Sequence, residues 1–202
     1  MKIEPPPDIE RKPLSQFFTA RIIETWRCGP VSLETTTNDL FFLTPKYTGL
    51  PHSANARKLL SLALVAEDGS AEWYAELDGW ELADCDPWVQ HHVVPLLTGP
   101  SLSRDAARAS LQDWLSARPR SVQAACDSAI DWHFLLGQLG DRPSNLAAQR
   151  HDLAPLIDTR VYNNTVTAYV AKGHPEHHAL HNARAYRLGW LAWRDARKSK
   201  PC

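Results

Sequence analysis

The stretch KLLSLALVAEDGSAEWYAEL, residues 58–77, limits the fold of this chain more than any other. Leu60, Leu62 and Leu64 alternate with Ser61 and Ala63, the period of a pleated strand with one face turned inward. Asp68-Gly69 then supplies a turn, and AEWYAEL returns as a second strand. Apolar alternation around an Asp-Gly pair is a strong hairpin signal, because the tight turn needs backbone that glycine adopts without strain. A lone hairpin is marginal in water, so the chain must supply more strands or a covering layer.

A partner strand lies just upstream in LFFLTPKYTGL, residues 40–50. Leu40–Leu43 reads as a buried strand that ends in Thr44, Pro45 and Lys46. Downstream, residues 86–97 read as a short helix limited by Pro95. Residues 103–117 read as a helix capped by Ser103, with Ala107, Leu111, Trp114 and Leu115 on one face. Residues 120–128 suit a strand, and 131–140 a short helix stopping at Gly140. Residues 175–198 suit a long helix with Pro175 in its first turn. Ala179, Ala183, Tyr186, Trp190 and Trp193 trace one of its faces. Strands first, then alternating helices and strands, imply an α/β domain over residues 39–198. Residues 1–38 form an N-terminal extension that opens with a Pro-rich lead, and 14–26 suit a short helix or strand.

The chain has 202 residues, 44% hydrophobic and 22% charged, with a formal net charge of -1. That suits one ordinary domain and gives no overall electrostatic case for nucleic-acid binding. Cys28, Cys85, Cys126 and Cys202 form no CxxC pair, which points to a reduced chain rather than a zinc ribbon. The charged N-terminus has no signal-peptide core, and no apolar run reaches the roughly 18 residues of a membrane span. The expected location is the cytoplasm, with no membrane partner.

Three segments together resemble the DEDDh class of 3′-5′ exonucleases, in its bacterial exoribonuclease-like branch. Members of that class end their first strand in Asp-x-Glu, often followed by an aromatic, Thr and Gly; TPKYTGL stands in that place. A second motif puts an Asp before an apolar helix, matched by AIDWHFLL with Asp131. The third is His-x4-Asp on the last helix, matched in frame by His177 and Asn182 of HHALHNARAYRL. The resemblance spans residues 38–195. It implies a ribonuclease H-like mixed sheet flanked by helices, and self-association as a homodimer.

The catalytic acids are where this chain departs. The class holds two divalent cations with four carboxylates, and a histidine serves as general base. Here Thr44, Lys46 and Asn182 occupy three of the four acid positions, leaving Asp131 beside the candidate base His177. Four carboxylates would offset two hard cations; Lys46 and Asp131 sum to zero. Two unit charges about 4 Å apart at an effective dielectric near 20 interact by roughly 4 kcal/mol, so a lysine there repels a metal directly. The expectation is a degenerate exonuclease that needs no metal cofactor, in which Lys46 pairs with Asp131 and fills the space of a cation. It would serve as a non-catalytic subunit that binds nucleic acid or a protein complex. Lys46, Tyr47 and Arg184 are the candidate nucleic-acid contacts. The alternative is an active exoribonuclease using Mg²⁺ or Mn²⁺, with Glu34, Asp39 or Asp127 as relocated ligands.

Plainer readings stand beside these. TPKYTGL also suits a simple strand-to-loop turn, and Asp131 a helix cap. His174, His177, His178 and His181 would share one side of a helix, a spacing that also suits a transition metal. His91 and His92 suit a surface pair. Arg184, Arg187, Arg194, Arg197 and Lys198 suit a solvated helix face. The tryptophans other than Trp26 lie within or beside these elements and suit the core, with one or two rings free to stack on bases.

Overall fold

The computed structural model describes residues 39–49, 57–157 and 159–199. The readings made for the N-terminal extension, Glu34, Trp26, Cys28 and Cys202 fall outside them. Strand β1, Asp39–Tyr47, carries Thr44, Pro45 and Lys46 near its end. It pairs antiparallel with β2, Leu59–Ala66, which pairs antiparallel with β3, Glu72–Leu77. On its other side β1 pairs parallel with β5, Val122–Cys126. Two-residue strands close both edges: β4, Ser101–Leu102, beside β3, and β6, His151–Asp152, beside β5. The sheet order is β4-β3-β2-β1-β5-β6. The molecule is therefore an α/β domain with a mixed sheet, as the element pattern implies.

Helices cover both faces, which is why β1 is apolar without alternation. Phe41 and Leu43 point toward α2, Arg104–Ser116, and α3, Ala129–Leu139, where Leu111, Leu115, Leu135 and Leu139 are fully buried. Leu40 and Phe42 point the other way, toward α4, Ala154–Ile157, α5, Arg160–Val170, and α6, Ala179–Lys198. Helix α1, Pro87–His92, packs Val89 against Leu60 and Cys85. Lys46 pairs with Ser61 and Tyr47 with Leu59, so Leu60 is an extra residue in β2. Such a bulge bends the ladder and re-aims neighbouring side chains; here it lies opposite the end of β1.

The caps follow the sequence. Ser103 Oγ accepts from the Ala106 amide, and Gly69 and Gly140 take positive φ at the hairpin turn and past α3. Two expectations need correcting. Helix α6 begins at Ala179, so Pro175 lies in the preceding turn rather than in the first helical turn, and His178 is the residue that leads in. Helix α5 has no sequence-based counterpart, because five of its eleven residues are β-branched. It is helical because it packs along α6, where Tyr162 is buried against Gly189.

The contact with Gly189 yields a test. A Cβ there would stand 2.8 Å from the Tyr162 ring, which the core holds in place. Gly137, inside α3, has only the Arg104 guanidinium at 3.9 Å. Gly137→Ala should therefore stabilise by up to about 1 kcal/mol. Gly189→Ala should destabilise by about 1–3 kcal/mol through overpacking. Thermal unfolding of both variants checks the opposite signs.

Candidate functional site

The carboxyl ends of parallel strands β1 and β5 lie side by side, the place where open α/β sheets leave a crevice. A cleft of about 310 Å³ opens there. Lys46 and Tyr47 reach it from β1, Asp127 and Asp131 from the β5–α3 junction, Tyr186 from α6, and Trp88 from α1. Residues 44–47, 127–131 and 186 are far apart in the chain, and the sheet brings them to one spot.

Thr44 does not point into open space. Its hydroxyl, 2% exposed, donates to the Ala179 carbonyl at 2.5 Å. It ties β1 to the first turn of α6, a structural task that a carboxylate could not do as a donor. Lys46 lies on the same side of β1. Burial pushes its ammonium below the ordinary lysine range, and Asp131 followed by Asp127 are the strongest charges pulling it back up. Among the described residues no ion pair within 4.0 Å joins Lys46 to Asp131. The expected contact pair is thus a longer-range attraction across the cleft.

Asp131 does not cap α3. Ser128 does, with its hydroxyl accepting from the Ile130 amide. Asp131 lies one turn in, 9% exposed, and its carboxyl is pushed up to about 7. Burial is the main cause; the Asp127 carboxylate adds to it by repulsion and by a hydrogen bond to the protonated form, and Lys46 and Arg150 oppose it. Asp127 also accepts from the Tyr186 hydroxyl at 3.0 Å. Asp127 therefore stands near enough to Asp131 to help hold its carboxyl protonated toward neutral pH. The sequence count of one acid needs correcting to two, with Lys46 still opposing them.

The other predicted residues separate. His177 sits in the turn before α6, with its ring edge-on to Trp88, centroids 4.7 Å apart. Burial holds its imidazole below the ordinary range. Asn182 is on α6 one turn before Tyr186, and Tyr186 rather than Asn182 lines the cleft. Tyr47 stacks on Phe134 of α3 at 4.8 Å. Arg184 lies elsewhere, in a bidentate pair with Glu72 at 2.9 and 2.6 Å. Arg187 donates to the Glu67 carbonyl, Arg194 pairs with the Glu67 carboxylate, and Arg197 lies over Trp193. Arg184, Arg187 and Arg194 are thus bound to the hairpin, while Arg197 and Lys198 are exposed, as expected of a solvated face. Asp39 sits at the far end of β1, 3.8 Å from Arg120, away from the cleft.

His174, His177 and His178 precede α6, so the four histidines do not share a helical face. His174 and His181 stack at 5.2 Å beside Tyr169. Among the described residues no three His, Cys, Asp or Glu side chains are grouped to hold a metal ion. His91 and His92 are exposed, as expected, and Trp73 is buried while Trp88 is 39% exposed. Cys85 and Cys126 are free and buried. No described helix is long and apolar enough to cross a membrane.

Asp127 lies outside the three matched motifs and enters the sequence reading only as a candidate relocated ligand; the structure places it in the cleft. Glu76, 5% exposed, lines up across the sheet with Ser61 and Lys46 and accepts from the Tyr74 hydroxyl at 2.8 Å. No family model and no curated protein sequence matches this chain.

Asp131 makes stability depend on pH in a defined window. Its carboxyl rises from 3.8 to about 7 on folding, so the folded chain holds a proton that the unfolded chain has lost. The stability this group contributes is complete below the lower value and lost as pH rises through the upper one. Asp131→Asn keeps the neutral shape and cannot titrate. Between pH 5 and 8 the wild type should lose on the order of 2 kcal/mol relative to this variant. An identical pH dependence of stability in the two proteins across that range would refute the raised Asp131 carboxyl.

Proposed function

We propose that this chain is an exonuclease-like protein of ribonuclease H-like ancestry that no longer hydrolyses phosphodiesters and binds a single-stranded nucleic-acid end in the Lys46 cleft. The observation that carries this reading is convergence. The segments matched to the three motifs meet at one cleft: Thr44 is bonded to Ala179, and Lys46 feels Asp131, Asp127 and His177. An unrelated strand-to-loop turn gives no reason for residues 44–46 and 131 to meet beside Tyr186 of the third segment. At that meeting point a half-buried ammonium stands where the resemblance implies a carboxylate. It offers a phosphate the positive charge that a metal would otherwise supply. Trp88, partly exposed on the cleft wall, offers a ring face for a base.

A second reading keeps hydrolysis with relocated ligands. What favours it is Asp127, which lies in the cleft beside Asp131. Two carboxyls opposed by Lys46 are a poor match to paired divalent cations, which need several oxygen ligands and compensating charge.

Digestion of end-labelled single-stranded RNA and DNA with Mn²⁺ separates the two. No shortening is expected, while the labelled strands should bind, and Lys46→Ala should weaken binding about 10-fold or more. Metal-dependent shortening that disappears in Asp131→Ala would establish the hydrolytic reading instead.

A further inference from the structure

Lys46 differs from the other described lysines. Lys58, Lys172 and Lys198 are exposed, whereas Lys46 is partly buried and lines a cleft. Its backbone pairs with Ser61 of β2, so the amine is carried on a strand rather than on a loop. Trp88, Val89, Val93 and Ile130 line the same cleft and offer its amine no side-chain acceptor. Among the described residues no hydrogen bond and no ion pair holds its Nζ. Burial pulls its ammonium below the ordinary range, further than Asp131, Asp127 and Glu176 pull it back. His177 and His178, in the turn before α6, are basic groups that feel its charge. A desolvated lysine of this kind is populated in part as the free amine, which is a nucleophile. Three oxygen-bearing side chains line the cleft with it: Asp131, Asp127 and Tyr186, the last donating to Asp127 at 3.0 Å.

We infer that Lys46 is a covalent site for an aldehyde, which it holds as an imine, with Asp131 as the group that moves the protons. The Nζ lone pair adds to the carbonyl carbon, and the carbonyl oxygen takes the proton of the Asp131 carboxyl. The Asp131 carboxylate then removes one of the two protons left on nitrogen. It passes that proton to the new hydroxyl, which leaves as water while the nitrogen lone pair forms the C=N bond. One aldehyde, one amine and one proton thus give one protonated imine and one water. The cation left on nitrogen faces the carboxylate left on Asp131, so the charge pair of the cleft is kept. The space of about 310 Å³ admits a small aldehyde. It also admits the ring-opened sugar of an abasic nucleotide, which the nucleic-acid reading would bring to the same amine. The chemistry is shared, and the imine itself requires no nucleic acid.

The test incubates the full chain near neutral pH with glyceraldehyde, and separately with a single-stranded DNA carrying an abasic sugar near its 3′ end. Cyanoborohydride in both mixtures reduces the imine to a stable secondary amine, and peptide mapping by mass spectrometry locates it. Lys46 should be labelled about 10-fold or more faster than Lys58, Lys172 and Lys198, and Asp131→Asn should slow its labelling by about 10-fold or more. Lys46→Arg keeps the charge but has no amine to add, so the fast adduct should vanish while an unmodified strand still binds. The map of the wild-type chain carries the result should that variant not fold. A fast adduct from glyceraldehyde assigns the site to small aldehydes, and one from the abasic strand alone assigns it to a strand end. Labelling spread evenly over the exposed lysines, or an unchanged rate in Asp131→Asn, would overturn the imine site. Binding of the unmodified strand is read separately, so the nucleic-acid reading stands or falls on its own result.

Discussion

Strand β1 is bonded on both sides and buried on both faces, and the rest of the domain is arranged around it. Its odd residues, Phe41 and Leu43, face α2 and α3; its even ones, Leu40 and Phe42, face α4, α5 and α6. That arrangement accounts for the unbroken apolar run and also for what happens at its end. Where the covering layers part, the strand still emerges between β2 and β5, and its last residues must be polar without being fully solvated. Thr44 meets that condition by donating to the backbone of α6.

Lys46 meets it differently. An ammonium taken out of water costs several kcal/mol unless charge nearby offsets it. Asp131 and Asp127 supply that offset from across the cleft. Burial, with repulsion from Asp127, raises the Asp131 carboxyl, so Asp131 keeps its proton toward neutral pH. The charge on Lys46 is therefore offset from within the cleft only in part when Asp131 is protonated. A phosphate entering it would draw on Lys46, in competition with Asp131.

Much of the sheet could be read from the residues, because its signals are local. The alternation of Leu60, Leu62 and Leu64 around Asp68-Gly69, the Ser103 cap and the Gly140 stop each express a preference of a few adjacent residues. Helix α5 could not be read that way: Val161, Thr165, Val166, Thr167 and Val170 favour strand, and only burial of Tyr162 against Gly189 makes the segment helical. The cleft was legible in part. Lys46, Asp131 and His177 were marked by the family resemblance. Asp127 as neighbour of Asp131 follows from where β5 ends and α3 begins, and Tyr186 in the place expected of Asn182 follows from how α6 lies against the sheet. Arg184, Arg187 and Arg194 of the basic α6 face misled for a related reason, since Glu67 and Glu72 are distant in sequence and adjacent in space.

The two edges of the sheet have a consequence of their own. β4 and β6 are each two residues long, one beyond β3 and the other beyond β5. A long flat border would present a row of open amide and carbonyl groups on which another chain could template, the usual route to strand-swapped pairs and to fibrils. Here the outermost strands are each too short a ladder to template a foreign strand on themselves, and β4 covers only Glu76 and Leu77 of β3, so what limits pairing along Glu72–Ala75 is the side chains and helices around that strand rather than β4.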